Sequence, residues 1–408
     1  MAKKSLATLE KKDCAASFTI RGTAVLKDNS FSLNAHSNTS DWIYNRSNIG
    51  VNCGPKFGTV FVSNMGGYSK DGVNIIRAFG KDEKTGLTDF SIKIEVDWEN
   101  RFDKAILDQI GDFSFYTADI EKDTNGKIVT RKFLSQYDFV EYLSNNMENG
   151  QDYSFAGNVK YQEYNGSVRQ TREIKRVYLV EADEEKRHAY FTQTVFCGPD
   201  SVVEKDKEKK TVTIQGYVFE VLNKYKGHKL DQYETIPLPF TFEIDMNGEV
   251  DRTPMIKKFF MHKSGYNKIG IIFRYFSGGE VIHTSVDDLD EDIKLLVEMG
   301  AITEEEALAD CAGNTSYENK YIFEKIRISK KTDDDGVTKA TPQLELKFYD
   351  NEDIDENKFV TMTAVSQDEA EAEKEVAAIF EKEEKKAAKE EKKSDDSDFD
   401  LDDLFGDD

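Results

Sequence analysis

Five short runs rich in β-branched and aromatic residues crowd into residues 18–79, and a turn signal cuts off each one. FTIRGTAVLK (18–27), FSLNA (31–35), WIYNRSNIGV (42–51), GTVFVSNM (58–65) and NIIRAF (74–79) are separated by Asp-Asn, Ser-Asn, Gly-Pro and Gly-Gly pairs. Only strands fit between such breaks, and short strands at this spacing make a small barrel or sandwich. FSIKIEVDW (90–98) sets Ile92, Ile94, Val96 and Trp98 on one face and is expected to complete or extend the same unit. A helix is expected at 135–147, with Ser135 as cap, Asp138 three residues on, and Phe139, Tyr142 and Leu143 as its apolar stripe. A second strand series follows at 153–180, 189–196, 211–222 and 236–244, where Asn165-Gly166 signals a type I′ hairpin.

A chain of 408 residues exceeds one ordinary core, so several domains are expected. The divisions read from the patterning are a first barrel at 1–130, a second at 131–250 and a mixed α/β region at 251–365. A charged Glu/Lys/Ala linker at 366–393 then leads to an acidic tip at 394–408. Within the mixed region a hairpin is expected at 268–282, a helix at 288–300 ended by Gly300, and another at 303–311 capped by Thr303.

Catalytic signatures are absent. No phosphate-binding glycine loop, nucleophile elbow or H-E-x-x-H occurs, so a non-enzymatic protein without cofactor is expected. Cys14, Cys53, Cys197 and Cys311 are too scattered for a zinc site and read as free thiols. The acidic run at Asp287, Asp288, Asp290, Glu291 and Asp292 fails the calcium-loop pattern, because the sixth position from Asp288 is Ile293 rather than glycine. It suits a solvated helix N-terminus better. With neither a signal-peptide core nor an apolar run of spanning length, no membrane partner is expected and the expected location is the cytoplasm.

A net charge of −23 argues at first against a polyanionic ligand, but its distribution reverses that reading. Residues 1–81 are net +6, whereas residues 368–408 are net −11. Aromatic and basic residues also coincide. Alternation places Trp42, Tyr44 and Arg46 with Asn48 on one strand face and Ile43, Ile49 and Val51 on the other. If the aliphatic set packs inward, the first face can stack unpaired bases and neutralise phosphate. In the opposite reading Trp42 and Tyr44 are core residues and Asn45 and Ser47 are solvated. Around Asn165-Gly166, Lys160, Arg169, Arg172, Lys175 and Arg176 accompany Tyr153, Phe155, Tyr161, Tyr164 and Tyr178. Two such patches favour a nucleic-acid groove.

The tip SDDSDFDLDDLFGDD carries Phe399, Leu401, Leu404 and Phe405 among eight aspartates. A tethered polyanion of this kind is expected to compete for a basic groove at an effective concentration of up to ~mM. Once displaced, its apolar residues, with Asp402 and Asp403, suit a partner's apolar pocket with a basic rim. A merely solubilising tail is the other reading.

FTIRGTAVLKDNSFSLNAHSNTSDWIYNRSNIGV, KFLSQYDFVEYLSNNM before YSFAGNVKYQEYNG, and DFDLDDLF resemble the OB-fold single-stranded DNA-binding proteins, particularly the larger kind encoded by phages and mobile elements of Gram-positive bacteria. The resemblance implies a mainly β fold with some α: tandem OB-like β-barrels, a mixed α/β C-terminal region and a disordered acidic tail. It implies sequence-independent binding of single-stranded DNA in replication or recombination, protection of single strands, and recruitment of other proteins through the tail. Two barrels in one chain would allow a monomer. Carried onto this sequence by residue character, the DNA-binding set is Arg21, Lys27, Trp42, Tyr44, Arg46, Lys160, Tyr161, Tyr164, Arg169, Arg172 and Lys175. The partner-binding set is Phe399, Leu401, Asp402, Asp403, Leu404 and Phe405. A phage structural or scaffold protein that binds no nucleic acid is the competing class.

Overall fold

The structure, a computed structural model, describes Cys14 and residues 16–164, 167–199, 201–225, 228–248, 250–279, 317–332 and 338–349, with Lys294, Val297 and Met299 as isolated positions. Side chains of 162–169, 223–234, 317–318, 331–332 and 347–349 fall outside that description. The principal unit takes in residues up to 162, 170–221 and 234–354; the second is 163–169, 222–233 and 355–408, of which only strand ends are described.

The fold is mostly β. The chain begins with β1 (Ser17–Val25), β2 (Phe31–His36), β3 (Trp42–Asn52) and β4 (Thr59–Ser69). A hairpin of β5 (Ile75–Lys81) and β6 (Thr88–Asp97) follows, then α1 (Lys104–Leu107), β7 (Tyr116–Lys122), β8 (Ile128–Phe133) and α2 (Gln136–Asn146), before β9 (Asp152–Tyr164) and β10 (Ser167–Leu179).

Five of these strands close a barrel. β1 pairs β3 from Thr23/Asn52 to Val25/Gly50, and β3 pairs β4 over its whole length. β4 meets β10 in parallel at Ser63/Glu173, β10 pairs β9, and β9 returns to β1 from Asn158/Ser17 to Asp152/Thr23. Numbered along the chain, the ring runs first, second, third, fifth, fourth; the third and fifth strands are parallel, and α2 falls between the third and fourth. That is the plan of an OB-like barrel. β1 has β11 and then β3 along one edge, and the change falls at Gly22, where a Cβ would come within 2.2 Å of the Asn52 carbonyl oxygen.

Inside lie Phe18, Ile20 and Ala24 of β1, Ile49 and Val51 of β3, Val60 and Val62 of β4, Phe155 of β9 and Ile174 of β10, all buried. Full burial of each large apolar side chain stabilises by about 1.5–3 kcal/mol. The weak point is the parallel contact, and a side chain completes it: buried Asn64 donates from Nδ2 to the Ile174 carbonyl at 3.0 Å and accepts from the Ile174 amide at 3.2 Å. α2 forms where expected. Ser135 accepts from the Asp138 amide, Phe139, Val140 and Leu143 are buried, and the helix packs on β3, β4 and β7.

Two expectations are corrected here. Runs 74–79 and 90–98 do not join the barrel; as β5 and β6 they form a separate two-stranded sheet over a small core of Ala78, Val96, Ile110, Phe115 and Leu134. The strands around Asn165-Gly166, expected in a second barrel beginning at 131, complete the first ring instead. β9 ends at Tyr164 and β10 begins at Ser167, as a two-residue connection requires; the connection itself lies outside the described residues. Turn signals mark where strands end, whereas closure depends on edges far apart in sequence.

The remaining elements are β11 (His188–Cys197), β12 (Val202–Asp206), β13 (Thr211–Tyr225), β14 (His228–Asp245), α3 (Thr253–Phe259), β15 (Tyr266–Gly279), β16 (Tyr317–Ile326), β17 (Ile328–Thr332), β18 (Thr338–Pro342) and β19 (Leu344–Tyr349). Pairings run β11–β15–β16–β14–β13 and back to β11 through Phe196/Tyr217, with β14 and β16 parallel at Glu243/Ile322. β1 joins β11 from Ser17/Thr192 to Arg21/His188. The hairpin expected at 268–282 is replaced, through Gly279, by the single long strand β15. The helices expected at 288–300 and 303–311 and the tail from 366 lie outside the described residues, apart from the three isolated positions. Cys53 and Cys197 are buried thiols, and burial pushes Cys53 up to about 12. Among the described residues no helix is long and apolar enough to cross a membrane, and no group of three or more His, Cys, Asp or Glu could hold a metal ion.

Candidate nucleic-acid interface

The outward face of β3 and β4 is built by strict alternation. On β3, Asn45, Ser47, Ile49 and Val51 are buried, while Trp42 and Tyr44 are half-buried and Arg46 and Asn48 exposed. Of the two readings left by the sequence, the structure follows the one with Trp42, Tyr44 and Arg46 outward. The buried polar pair is satisfied. Asn45 Nδ2 donates to the Tyr137 carbonyl at 2.9 Å, its Oδ1 accepts from the Asn34 amide at 2.7 Å, and Ser47 Oγ accepts from the Asn64 amide at 3.0 Å.

Trp42 and Tyr44 stack with ring centroids 4.8 Å apart and planes 18° apart. Directly opposite on β4, Met65 faces Arg46 and Phe61 faces Gly50, with Met65 52% and Phe61 42% exposed. Arg46 makes no ion pair among the described residues. One strip thus presents two half-exposed rings, an exposed guanidinium, a thioether and a third ring. Phe61 and Met65 were missed from the sequence, although their parity matches the outward set of β3 once the register is known.

The second basic patch is used differently. Glu173 is buried between Lys160 and Lys175, the latter at 3.6 Å, and accepts from the Tyr116 hydroxyl at 3.0 Å. Burial alone would raise the Glu173 carboxyl, but the two ammonium groups and the Tyr116 hydroxyl outweigh it and hold it below the ordinary range. Burial lowers Lys175, against the pull of Glu173, and its Nζ sits 3.7 Å from the centre of the Tyr116 ring. One carboxylate therefore offsets part of the charge that Lys160 and Lys175 would offer to phosphate.

Tyr161 and Arg172 are both engaged with other side chains. Tyr161 bonds Gln193 at 3.2 Å within the interior, and burial pushes its hydroxyl well above the ordinary value. The Arg172 guanidinium lies 4.6 Å from the Tyr275 ring centre and 5.5 Å from that of Phe191, and donates to the Tyr275 hydroxyl. Both side chains belong to a polar-aromatic network with Gln170 and Tyr321. Arg21 lies on the outward side of β1 and donates to the Glu181 carbonyl at 3.0 Å, and Lys27 is exposed beyond the end of β1. The side chains of Tyr164 and Arg169, and all of Phe399, Leu401, Asp402, Asp403, Leu404 and Phe405, lie outside the described residues.

Two clefts share Phe113 and Lys175, and the first of them touches the strip at Met65. One, of about 390 Å³, runs from Met65, Gly66 and Gly67 past Phe79, Trp98 and Phe113 to Lys175. The other, of about 720 Å³, is lined by Phe113, Lys132, Lys175 and Arg176 and by the outward residues Ser17 and Thr19 of β1.

No protein family and no curated protein matches the sequence. Among solved structures, a deletion mutant of the single-stranded DNA binding protein from Thermus aquaticus is similar at 9% identity and a TM-score of 0.28, over 64% of this chain and 86% of that one. The assignment of an OB-like barrel rests on strand order and parallel closure, not on that likeness.

Proposed function

We propose that this chain binds single-stranded DNA without sequence preference, as a non-enzymatic protein of replication or recombination that shields unpaired strands. The observation that carries the reading is the strip of Trp42, Tyr44, Arg46, Phe61 and Met65 on the second and third strands of an OB-like barrel. That is the face on which OB-folds take oligonucleotides. Rings stack on any base and a cation meets any phosphate, so the combination is tolerant of sequence. The larger, phage-type class of the resemblance fits this reading, as does a second barrel formed by β11, β13, β14, β15 and β16, whose pairings repeat the strand order of the first. The acidic tail would compete for the strip and, when displaced, offer Phe399, Leu401, Leu404 and Phe405 to partner proteins; its composition supports this role.

The test is a fluorescence titration with oligo-thymidine at two salt concentrations, on the full chain and on a version stopped after Lys393. Binding that weakens with salt and tightens without the tail is expected. Absence of binding by both versions would favour a scaffold role and sink the reading.

A further inference from the structure

Two rings of the β5–β6 hairpin, Phe79 and Phe90, meet a third, Phe113, from the turn at Asp112–Ser114, and none of the three belongs to the hairpin's small core. Phe79 and Phe90 meet edge-to-face at 5.2 Å and Phe90 and Phe113 at 5.1 Å, while Phe90 is 56% and Phe113 59% exposed. Ile92 and Leu87 beside them are exposed as well. Beyond Ala78 and Val96 the hairpin is bordered by residues 109–114, through Gly111 to the Phe79 carbonyl and Phe79 to the Ser114 hydroxyl, and among the described residues Phe90 and Phe113 stay exposed there. A cluster of large exposed rings marks a contact site.

Its surroundings say what kind. Phe113 and Lys175 line both clefts, of which the first also takes in Phe79 and Met65, at the edge of the strip, and the second reaches the outward side of β1. Lys132, Lys175, Arg176 and Arg77 border them. Each already has an acidic neighbour: Asp112 lies 2.8 Å from Lys132, Glu173 3.6 Å from Lys175, Asp119 3.3 Å from Arg176 and Glu95 3.2 Å from Arg77. Such a border tolerates a polyanion without attracting it strongly, so the rings must supply the affinity.

We propose that Phe79, Phe90 and Phe113 form a second base-stacking site, which takes the strand onward after it leaves the face of β3 and β4. This rests on the proposed single-stranded DNA binding and adds its route. Two properties follow from the geometry. The site acts only on strands long enough to reach it, beyond the four to sixteen or so nucleotides that one OB barrel covers. Its contribution is insensitive to salt, because stacking releases few counterions whereas Arg46 on phosphate releases them.

The test uses the full chain with thymidine oligonucleotides of about eight and about thirty nucleotides at two salt concentrations. F90L/F113L keeps apolar cover but removes the ring faces, and F90W/F113W restores them; thermal melting confirms that both fold. The expected result is that F90L/F113L binds the short strand within about twofold of wild type and the long strand about tenfold more weakly at either salt, while F90W/F113W recovers wild-type affinity. Long-strand affinity unchanged in F90L/F113L overturns the proposal and points to a protein ligand for the rings. A loss that grows at low salt also overturns it. Failure of the underlying reading looks different: wild type then binds neither length, or W42A/Y44A/R46A binds the short strand as wild type does.

Discussion

The two circuits of strands share a plan and differ in what they show to solvent. In the first, the outward face of the second and third strands carries Trp42, Tyr44, Arg46, Phe61 and Met65. In the second, the outward positions at the same place are Thr213, Gln215 and Tyr217 on β13 and Thr241 and Glu243 on β14, with the Glu243 carboxylate 3.8 Å from Lys320. One face presents rings, a guanidinium and a thioether; the other offers one ring, hydroxyls, an amide and a carboxylate. On the proposed reading the first face is the one that meets DNA. β1, paired on one edge to both β3 and β11, links the two.

The largest expected effect breaks that contrast directly. W42A/Y44A/R46A removes two stacking rings and one phosphate contact and should weaken binding of a short thymidine strand by about a hundredfold or more, since each stacked base contributes about 1–3 kcal/mol. T213A/Q215A on the opposite circuit should stay within about twofold, which labelled-oligonucleotide anisotropy would read. Equal losses would mean that both faces bind.

Closure supplies the next contrast. The first ring is clamped by Asn64 on the Ile174 backbone, whereas in the second circuit Arg252 donates to the carbonyls of Asp245 and Phe323, at 3.3 and 3.2 Å, from a half-buried position. N64A leaves a buried amide and carbonyl unpaired and should cost about 2–4 kcal/mol of stability. R252A, at a wetter site, should cost about 1–2 kcal/mol. Denaturant midpoints would rank the two, and the reverse order would contradict the clamping account.

Smaller effects concern charge. R46A alone should flatten the slope of log affinity against log salt by about 0.7, the value for one phosphate contact on a single strand. Glu173 gives a pH signature. Because its folded carboxyl is held below the ordinary value, its contribution is fully present above about pH 4.3 and is lost as pH falls through the lower folded value. E173Q should therefore be less stable than wild type by about 1–3 kcal/mol at neutral pH and converge with it in acid. A difference that persists unchanged to pH 2 would contradict the pairing.

Local signals were the legible ones. Ser135 and Asp138 define a helix start through a bond between neighbours, and period-two alternation separates Trp42, Tyr44 and Arg46 from Ile49 and Val51 before any fold is known. Three things needed the folded chain. Strand partners were hidden because β9 and β10 read as a self-contained hairpin, and nothing local says that β1 takes the outer edge of β9. Tyr161 and Arg172 read as exposed because alternation presumes a solvated second face, whereas here it meets Tyr275 and Tyr321. Phe90 and Ile92 share parity with Val96, which is buried, so only the length of the hairpin relative to its core shows that they emerge from it.

The central claim is that the face of β3 and β4 holds single strands. The most direct measurement is the affinity of the full chain for a labelled thymidine octamer, wild type against W42A/Y44A/R46A, with matched thermal melts. The account predicts salt-sensitive binding by wild type and near-complete loss in the variant at unchanged stability. Equal affinity in the two proteins would contradict it.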